Sequence, residues 1–151
     1  TPETVTVADL AYAYRHSAIK DGTIPGVLTT VRVRLSPGDP ATLRARAREY
    51  HDWRKTAQPQ AASAGSMFQN PPGDAAGRLI EACGLKGFTV GQARVSPIHA
   101  NFIVNLGKAT AADVLAVGDH CRTCVQARFG IALHYEVQRI GRWETRETGE
   151  S

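Results

Sequence analysis

Between Gly84 and Gly107, glycines at 84, 87, 91 and 107 punctuate the chain. Three stretches there, near Phe88–Val90, Ala93–Val95 and Phe102–Asn105, carry β-branched and aromatic residues and read as short strands. One long helix follows at once. Thr110-x-x-Asp113 resembles a capping box with Asp in the Glu position. Val114, Val117, Cys121 and Val125 then form an apolar stripe, and Phe129-Gly130 closes the helix. Strands clustered ahead of a helix, without strict βαβ alternation, place the chain in the α+β class. The expected architecture is a mixed or antiparallel sheet with helices packed on it.

The flanks add elements to that centre. Val27, Thr29, Val31, Val33 and Leu35 alternate with Leu28, Thr30, Arg32 and Arg34, which predicts a strand with one polar face. Ser36 to Pro40 is a turn; Asp39 is placed to cap a helix that Pro40 opens and that ends before Gln58-Pro59. On it Leu43, Ala47, Tyr50 and Arg54 share a face. Residues 56–73 read as irregular. Asp74 is expected to cap a short helix with Leu79, Ile80 and Cys83 inward and Gly84 as its C′ residue. A final strand is predicted with Ile131, Leu133, Tyr135 and Val137 on one face and Ala132, His134, Glu136 and Gln138 on the other. Residues 142–151 form a charged tail expected to fray.

The 151 residues carry 18 Lys and Arg against 14 Asp and Glu, a net charge of +4. That balance fits attraction to nucleic acid, to a small anionic ligand, or no function beyond solubility. The densest basic run is the helical stretch "RARAREYHDWRK", residues 44–55. No apolar run reaches membrane-spanning length and Thr1-Pro2-Glu3 does not open a signal peptide, so a cytoplasmic location is expected. Three cysteines do not close a disulfide framework. Cys121 and Cys124 lie inside the long helix, with no second CxxC to complete a zinc site, and read as packing thiols. Met67 is the one methionine, so either an initiator was removed or the chain is a piece of a longer one.

A few polar residues stand at constrained places: Arg15 in Tyr-Arg-His-Ser, Ser66 in Ala-Gly-Ser, Asn70 before two prolines, and Glu136 on the polar face of the last strand. Each alone also fits a surface cation, a loop hydroxyl, a turn residue or a solvated strand position. Ser66 with His99 makes no hydrolase triad, because the GxSxG elbow is missing.

Taken in order, "AYRHSAIK", "RKTAQP", "SAGSMFQNPPGDAAGRLIEACGLKG", "ARVSPIHANFIVNLGKATAADV" and "FGIALHYEVQRIG" resemble the C-terminal half of the MurB family, the UDP-N-acetylenolpyruvoylglucosamine reductases. The likeness runs from about Tyr14 to Gly141 and is closer to the shorter, second type of the family. It implies three parts: residues 1–35 as the end of a preceding flavin-binding region, 36–141 as the substrate-binding domain, and 142–151 as the tail.

The resemblance implies an NADPH- and FAD-dependent reductase that converts UDP-N-acetylglucosamine enolpyruvate to UDP-N-acetylmuramate in peptidoglycan precursor synthesis. Carried over by motif, Ser66 is the general acid, and Arg15 and Glu136 complete the catalytic set. Asn70 is a substrate contact, and Arg54 and His99 fall beside further ligand positions. Gly65 is expected to allow close backbone approach to the ligand. A carboxylate beside a substrate carboxylate repels it, so Glu136 is expected to carry a proton in the complex or to pair with Arg15. Two departures stand out. The flavin-binding part of the family is absent from these residues, and Gln69 stands where many relatives have lysine. A UDP-sugar-binding module without turnover and a basic nucleic-acid-binding domain are the competing readings.

Overall fold

The computed structural model describes residues 3–141; the charged tail lies outside the described residues. Contacts within the chain group into two units, Thr1–Ala45 and Arg46–Ser151, with the division falling inside a helix.

In the first unit, residues 3–26 make turns. Ala18 is buried; its amide donates to the Leu10 carbonyl at 2.8 Å and its carbonyl accepts from Ile24. The strand expected over 27–35 is not formed: these residues pair with no strand among those described, and Val27 and Leu35 are 87% and 81% exposed. Alternation supplies a face, but a strand also needs a neighbour to complete its ladder. Helix α1, Pro40–Ala57, starts where the turn predicts. The Asp39 carboxylate accepts from the Thr42 amide and hydroxyl, both at 2.8 Å. The shared face of Leu43 and Tyr50 stays uncovered, since α1 has no buried residue.

The second unit holds the core. Its sheet is β1 (Ser63–Ser66), β2 (Thr89–Val90), β3 (Ala93–Val95) and β4 (Phe102–Asn105), antiparallel throughout, in the order β1-β4-β3-β2. Helices α2 (Ala76–Ala82) and α3 (Ala111–Phe129) complete it. The three predicted strands are present, and the capping box of α3 is formed on both sides, by Thr110 and Asp113. Gly130 takes the left-handed C-cap. Helix α3 packs on β2, β3 and β4 and also meets α2. The core is Leu79, Ile80, Ala93, Val95, Ile103, Val117, Cys121 and Val125, joined by Met67, Phe68 and Leu133. All three cysteines are free, Cys121 within the core and the other two half-buried.

Three expectations change here. Residues 63–66 form an edge strand instead of irregular loop, made by pairing with β4 and not by β-forming residues of their own. Asp74 does not cap α2: the N-cap is Ala75, whose side chain cannot cap, and the Ala76 amide goes to Asn70 Oδ1 at 3.0 Å. Asp74 instead binds the Ala75 amide and pairs with Arg78. The last strand is an extended segment with one bridge, Phe68 to Tyr135, because Phe68 lies beyond the end of β1. Its alternation holds as far as His134, with Leu133 buried and Ala132 and His134 exposed, but Tyr135, Glu136 and Val137 are all half-buried.

Candidate functional site

Antiparallel pairing fixes which side chains share a face. Val90, Ala93, Val95 and Ile103 pair across the sheet on the side that α3 covers. Ser66 pairs with Phe102, and Ser63 and Arg94 with Val104, so these project from the opposite side. Between Ser63 and Ser66 the register slips: two residues of β1, Ala64 and Gly65, oppose one of β4, Ile103. Gly65 sits in this bulge at φ 82 with open space where a Cβ would be. Glycine is needed there for its backbone conformation, and the bulge sets the direction of the half-buried Ser66. The expected close approach at Gly65 has no crowding in the chain itself to account for it.

Beyond the bulge the backbone is locked on both sides. The Met67 amide donates to the Asn101 carbonyl at 2.8 Å. The buried Asn101 side chain then stands in for a strand: its Oδ1 accepts from the Phe68 amide at 3.0 Å and its Nδ2 donates to the Phe68 carbonyl at 2.8 Å. From the other side the Glu136 amide donates to the Met67 carbonyl, and the Gln69 amide to the His134 carbonyl, both at 2.9 Å. The backbone of Glu136 is thereby bonded to Met67, the residue that follows Ser66.

Helix α3 holds the Glu136 segment in place. The Tyr135 hydroxyl donates to Asp119 at 2.7 Å, and Arg122 Nε to the Leu133 carbonyl at 3.1 Å. The Tyr135 ring stacks on Phe68 with centroids 5.0 Å apart, and the Arg122 guanidinium carbon lies 5.1 Å from the Tyr135 ring centroid. Burial, then the Asp119 carboxylate, push the Tyr135 phenol above its ordinary pKa. Gly118 makes this contact possible: a Cβ there would come within 2.8 Å of both Tyr135 Oη and Met67 Cε.

His99 and Asn70 belong to the same network. His99 Nδ1 accepts from the Asn101 amide at 3.2 Å, and its ring meets Phe102, the partner of Ser66, edge-on at 5.0 Å. Gly77, in the first turn of α2, lies so close that a Cβ would reach 2.9 Å from His99 Cε1. Asn70 is exposed and anchors the start of that turn. Arg54 is not drawn in; it is exposed on α1, with Nη2 3.4 Å from Gln58 Oε1.

Arg15 belongs to the first unit. It has φ 57, a left-handed conformation that a residue with a Cβ seldom takes, between Ala13 and His16, which bridge each other. Its carbonyl accepts from Lys20 Nζ at 2.9 Å. Sequence reasoning missed Asn101, Asp119 and Tyr135. Only Asn101 had a signal, a polar residue directly before an apolar strand.

The fit of a flavin is poor. The α2 N-terminal amide is already taken by Asn70, and α2 has only seven residues. A cleft of about 570 Å³ is lined by Asp119, Arg122, Gln126 and Leu133, on α3 and the extended segment, away from Ser66. Among the described residues no group of His, Cys, Asp or Glu could hold a metal ion, and no helix is long and apolar enough to cross a membrane.

A small antiparallel sheet packed on α3, with Ser66 set by a bulge on the side opposite that helix, defines an α+β domain. The chain belongs to the family of the UDP-N-acetylenolpyruvoylglucosamine reductase C-terminal domain, whose model matches residues 58–140. It is 50% identical over 138 residues to the UDP-N-acetylenolpyruvoylglucosamine reductase of Chloroflexus aurantiacus, covering 89% of this chain and 46% of that protein. It is 51% identical over 138 residues to the reductase of Anaeromyxobacter dehalogenans, covering 91% and 41%. The crystal structure of UDP-N-acetylenolpyruvylglucosamine reductase (MurB) from Thermus caldophilus matches with a TM-score of 0.72 and 41% identity, over 87% of this chain and 46% of that one. The chain thus spans less than half the length of these relatives.

Proposed function

We propose that this chain is the substrate-binding half of a reductase that converts UDP-N-acetylglucosamine enolpyruvate to UDP-N-acetylmuramate in peptidoglycan precursor synthesis, in the cytoplasm. Its family and the names of its relatives support the reaction. The observation that carries the reading is the pinning of the Glu136 segment beside the Ser66 bulge.

Reduction of the enol ether adds a hydride to the terminal carbon and a proton to its neighbour. A flavin held by a region other than the residues described here would supply the hydride. The chain's own share is the proton. Ser66 Oγ–H gives it to the carbanionic carbon, and the resulting alkoxide regains a proton from solvent. A serine hydroxyl is a weak acid, so the transfer depends on a strongly basic acceptor and on surrounding dipoles. Glu136 orients the enolpyruvyl group. Arg15 contributes by residue type, a guanidinium that stabilises the charge developing on the enolate and its carboxylate. Asn70, His99 and Arg54 serve the nucleotide sugar. Residues 1–35 belong with the flavin-binding region, where the alternating 27–35 segment finds its strand partner.

The test is turnover of NADPH with the enolpyruvyl UDP-sugar. We expect none from the 151 residues alone and turnover once a flavin-binding half is joined upstream. Ser66→Ala should then lower kcat by about 10²–10⁴-fold, the range of general acid catalysis. Full turnover by the Ser66→Ala enzyme overturns the assignment. Saturable UDP-sugar binding with no turnover by the joined protein favours a binding module instead.

A further inference from the structure

Ser66 is held chiefly from its C-terminal side. Before it lies the bulge, where Gly65 takes φ 82 and the ladder to β4 is interrupted. A glycine in that conformation bends the strand but leaves a permissive backbone next to the serine. After it, Met67 and Phe68 present four backbone polar groups, and one residue takes three of them. The Asn101 carbonyl accepts from the Met67 amide at 2.8 Å, its Oδ1 accepts from the Phe68 amide at 3.0 Å, and its Nδ2 donates to the Phe68 carbonyl at 2.8 Å. The fourth, the Met67 carbonyl, accepts from the Glu136 amide. Asn101 also directly precedes Phe102, which stands opposite Ser66 in the register.

The residue type suits the task. A carboxamide sets one acceptor beside one donor, which is what the N–H and C=O of a single extended residue require; a carboxylate offers acceptors alone. Asn101, Met67 and Phe68 are 4%, 3% and 1% exposed, so water competes little for these bonds. The Asn101 backbone is itself tied down, with its amide donating to His99 Nδ1 at 3.2 Å.

We propose that Asn101 is a positioning residue for proton transfer from Ser66: by gripping the peptide groups of Met67 and Phe68 it fixes where the Ser66 hydroxyl stands relative to the carbon it protonates. This rests on the reading of Ser66 as the general acid. Buried as it is, Asn101 acts through Ser66. Transfer from so weak an acid depends on close alignment, and a displacement of about 1 Å is enough to cost about 10²-fold in rate.

The experiment uses the reductase assembled with its flavin-binding half, as wild type, Asn101→Ala, Asn101→Asp, Ser66→Ala, and Ser66→Ala combined with each Asn101 substitution. Rapid mixing follows flavin absorbance in two separate steps, reduction by NADPH and reoxidation by the enolpyruvyl UDP-sugar, below the melting temperature of every variant. Asn101→Ala should slow reoxidation at saturating UDP-sugar by about 10–10²-fold and leave reduction by NADPH unchanged, with the loss in kcat and little change in KM. Asn101→Asp fills the same space and keeps an acceptor for the Phe68 amide, but it has no donor for the Phe68 carbonyl. It should slow the same step without opening a cavity, and it decides the matter if Asn101→Ala does not fold. In the Ser66→Ala background neither Asn101 substitution should slow reoxidation further, because the group being positioned is gone.

Wild-type reoxidation in the Asn101 variants, beside a slow Ser66→Ala enzyme, overturns the Asn101 assignment and leaves the general-acid reading intact. Equal slowing with and without the Ser66 hydroxyl, or equal slowing of both steps, also overturns it and makes Asn101 a purely structural residue. Undiminished reoxidation by Ser66→Ala overturns the general-acid reading and the positioning role together.

Discussion

The amide of Glu136 donates to the carbonyl of Met67 at 2.9 Å. This bond joins the end of the fold to the residue that follows Ser66, and it fixes the backbone that carries Glu136. If Glu136 acts on substrate there, Glu136→Gln in the assembled reductase should lower kcat by about 10²-fold or more, with a smaller change in KM. Steady-state kinetics on NADPH oxidation checks this. An enzyme changed only in KM would make Glu136 a binding residue.

Tyr135 reports on the device that holds that backbone bond. Removing its hydroxyl with Tyr135→Phe keeps the stack on Phe68 but loses the bond to Asp119. The expected cost is about 1 kcal/mol. Amide exchange at Gln69 and Glu136 should speed up, while the centre of α3 keeps its protection. The phenol has a raised pKa in the folded state, so its contribution is present below the unfolded value of 10 and fades as pH rises above it. The alkaline limb of the wild-type stability curve should therefore be steeper than that of Tyr135→Phe.

Gly118 should tolerate no side chain. Gly118→Ala places a methyl group against Tyr135 Oη and Met67 Cε, at an expected cost of about 1–3 kcal/mol in denaturant melts. Combined with Tyr135→Phe, which removes one of the two crowded atoms, the effects should sum to less than the parts. Strict additivity would mean that the strain is relieved elsewhere.

Asn101 should matter to stability more than its chemistry suggests. Asn101→Ala leaves the buried Phe68 amide and carbonyl unpaired, at about 1–3 kcal/mol for each group. The melting temperature should fall by several degrees, with β1 losing exchange protection first. An unshifted melt would show that β1 stays paired without this amide.

The thiols should differ in reactivity. Burial, then the nearby Cys124 and Cys83, push the Cys121 thiol up to about 12. At pH 8 a thiol reagent should label Cys124 well before Cys121, which becomes reactive only on unfolding; mass spectrometry of labelled peptides checks the order.

Much of the fold was legible because its signals are local. Thr110 and Asp113 lie three residues apart and cap their own helix whatever surrounds them. The turn into α1 and the three short strands are likewise written within a few residues. The misread places all depend on a distant partner. Ser63-Ala64-Gly65-Ser66 has no β-branched residue and becomes a strand only because β4 offers it hydrogen bonds. Residues 27–35 have the opposite problem, a strand pattern without a ladder. Asp74 looks like a cap by position, but Asn70 reaches the helix start from outside it.

The candidate site divides the same way. Which residue types were worth attention, Ser66 after a glycine and Glu136 on a polar alternation, could be read from order and spacing along the chain. That the Glu136 segment is pinned beside the Ser66 bulge and that Asn101 fills in for a missing strand were decided only by tertiary structure. Local preference is set by neighbours within a few bonds. A ladder hydrogen bond or a shared face is set by which distant segments pair, and in what register.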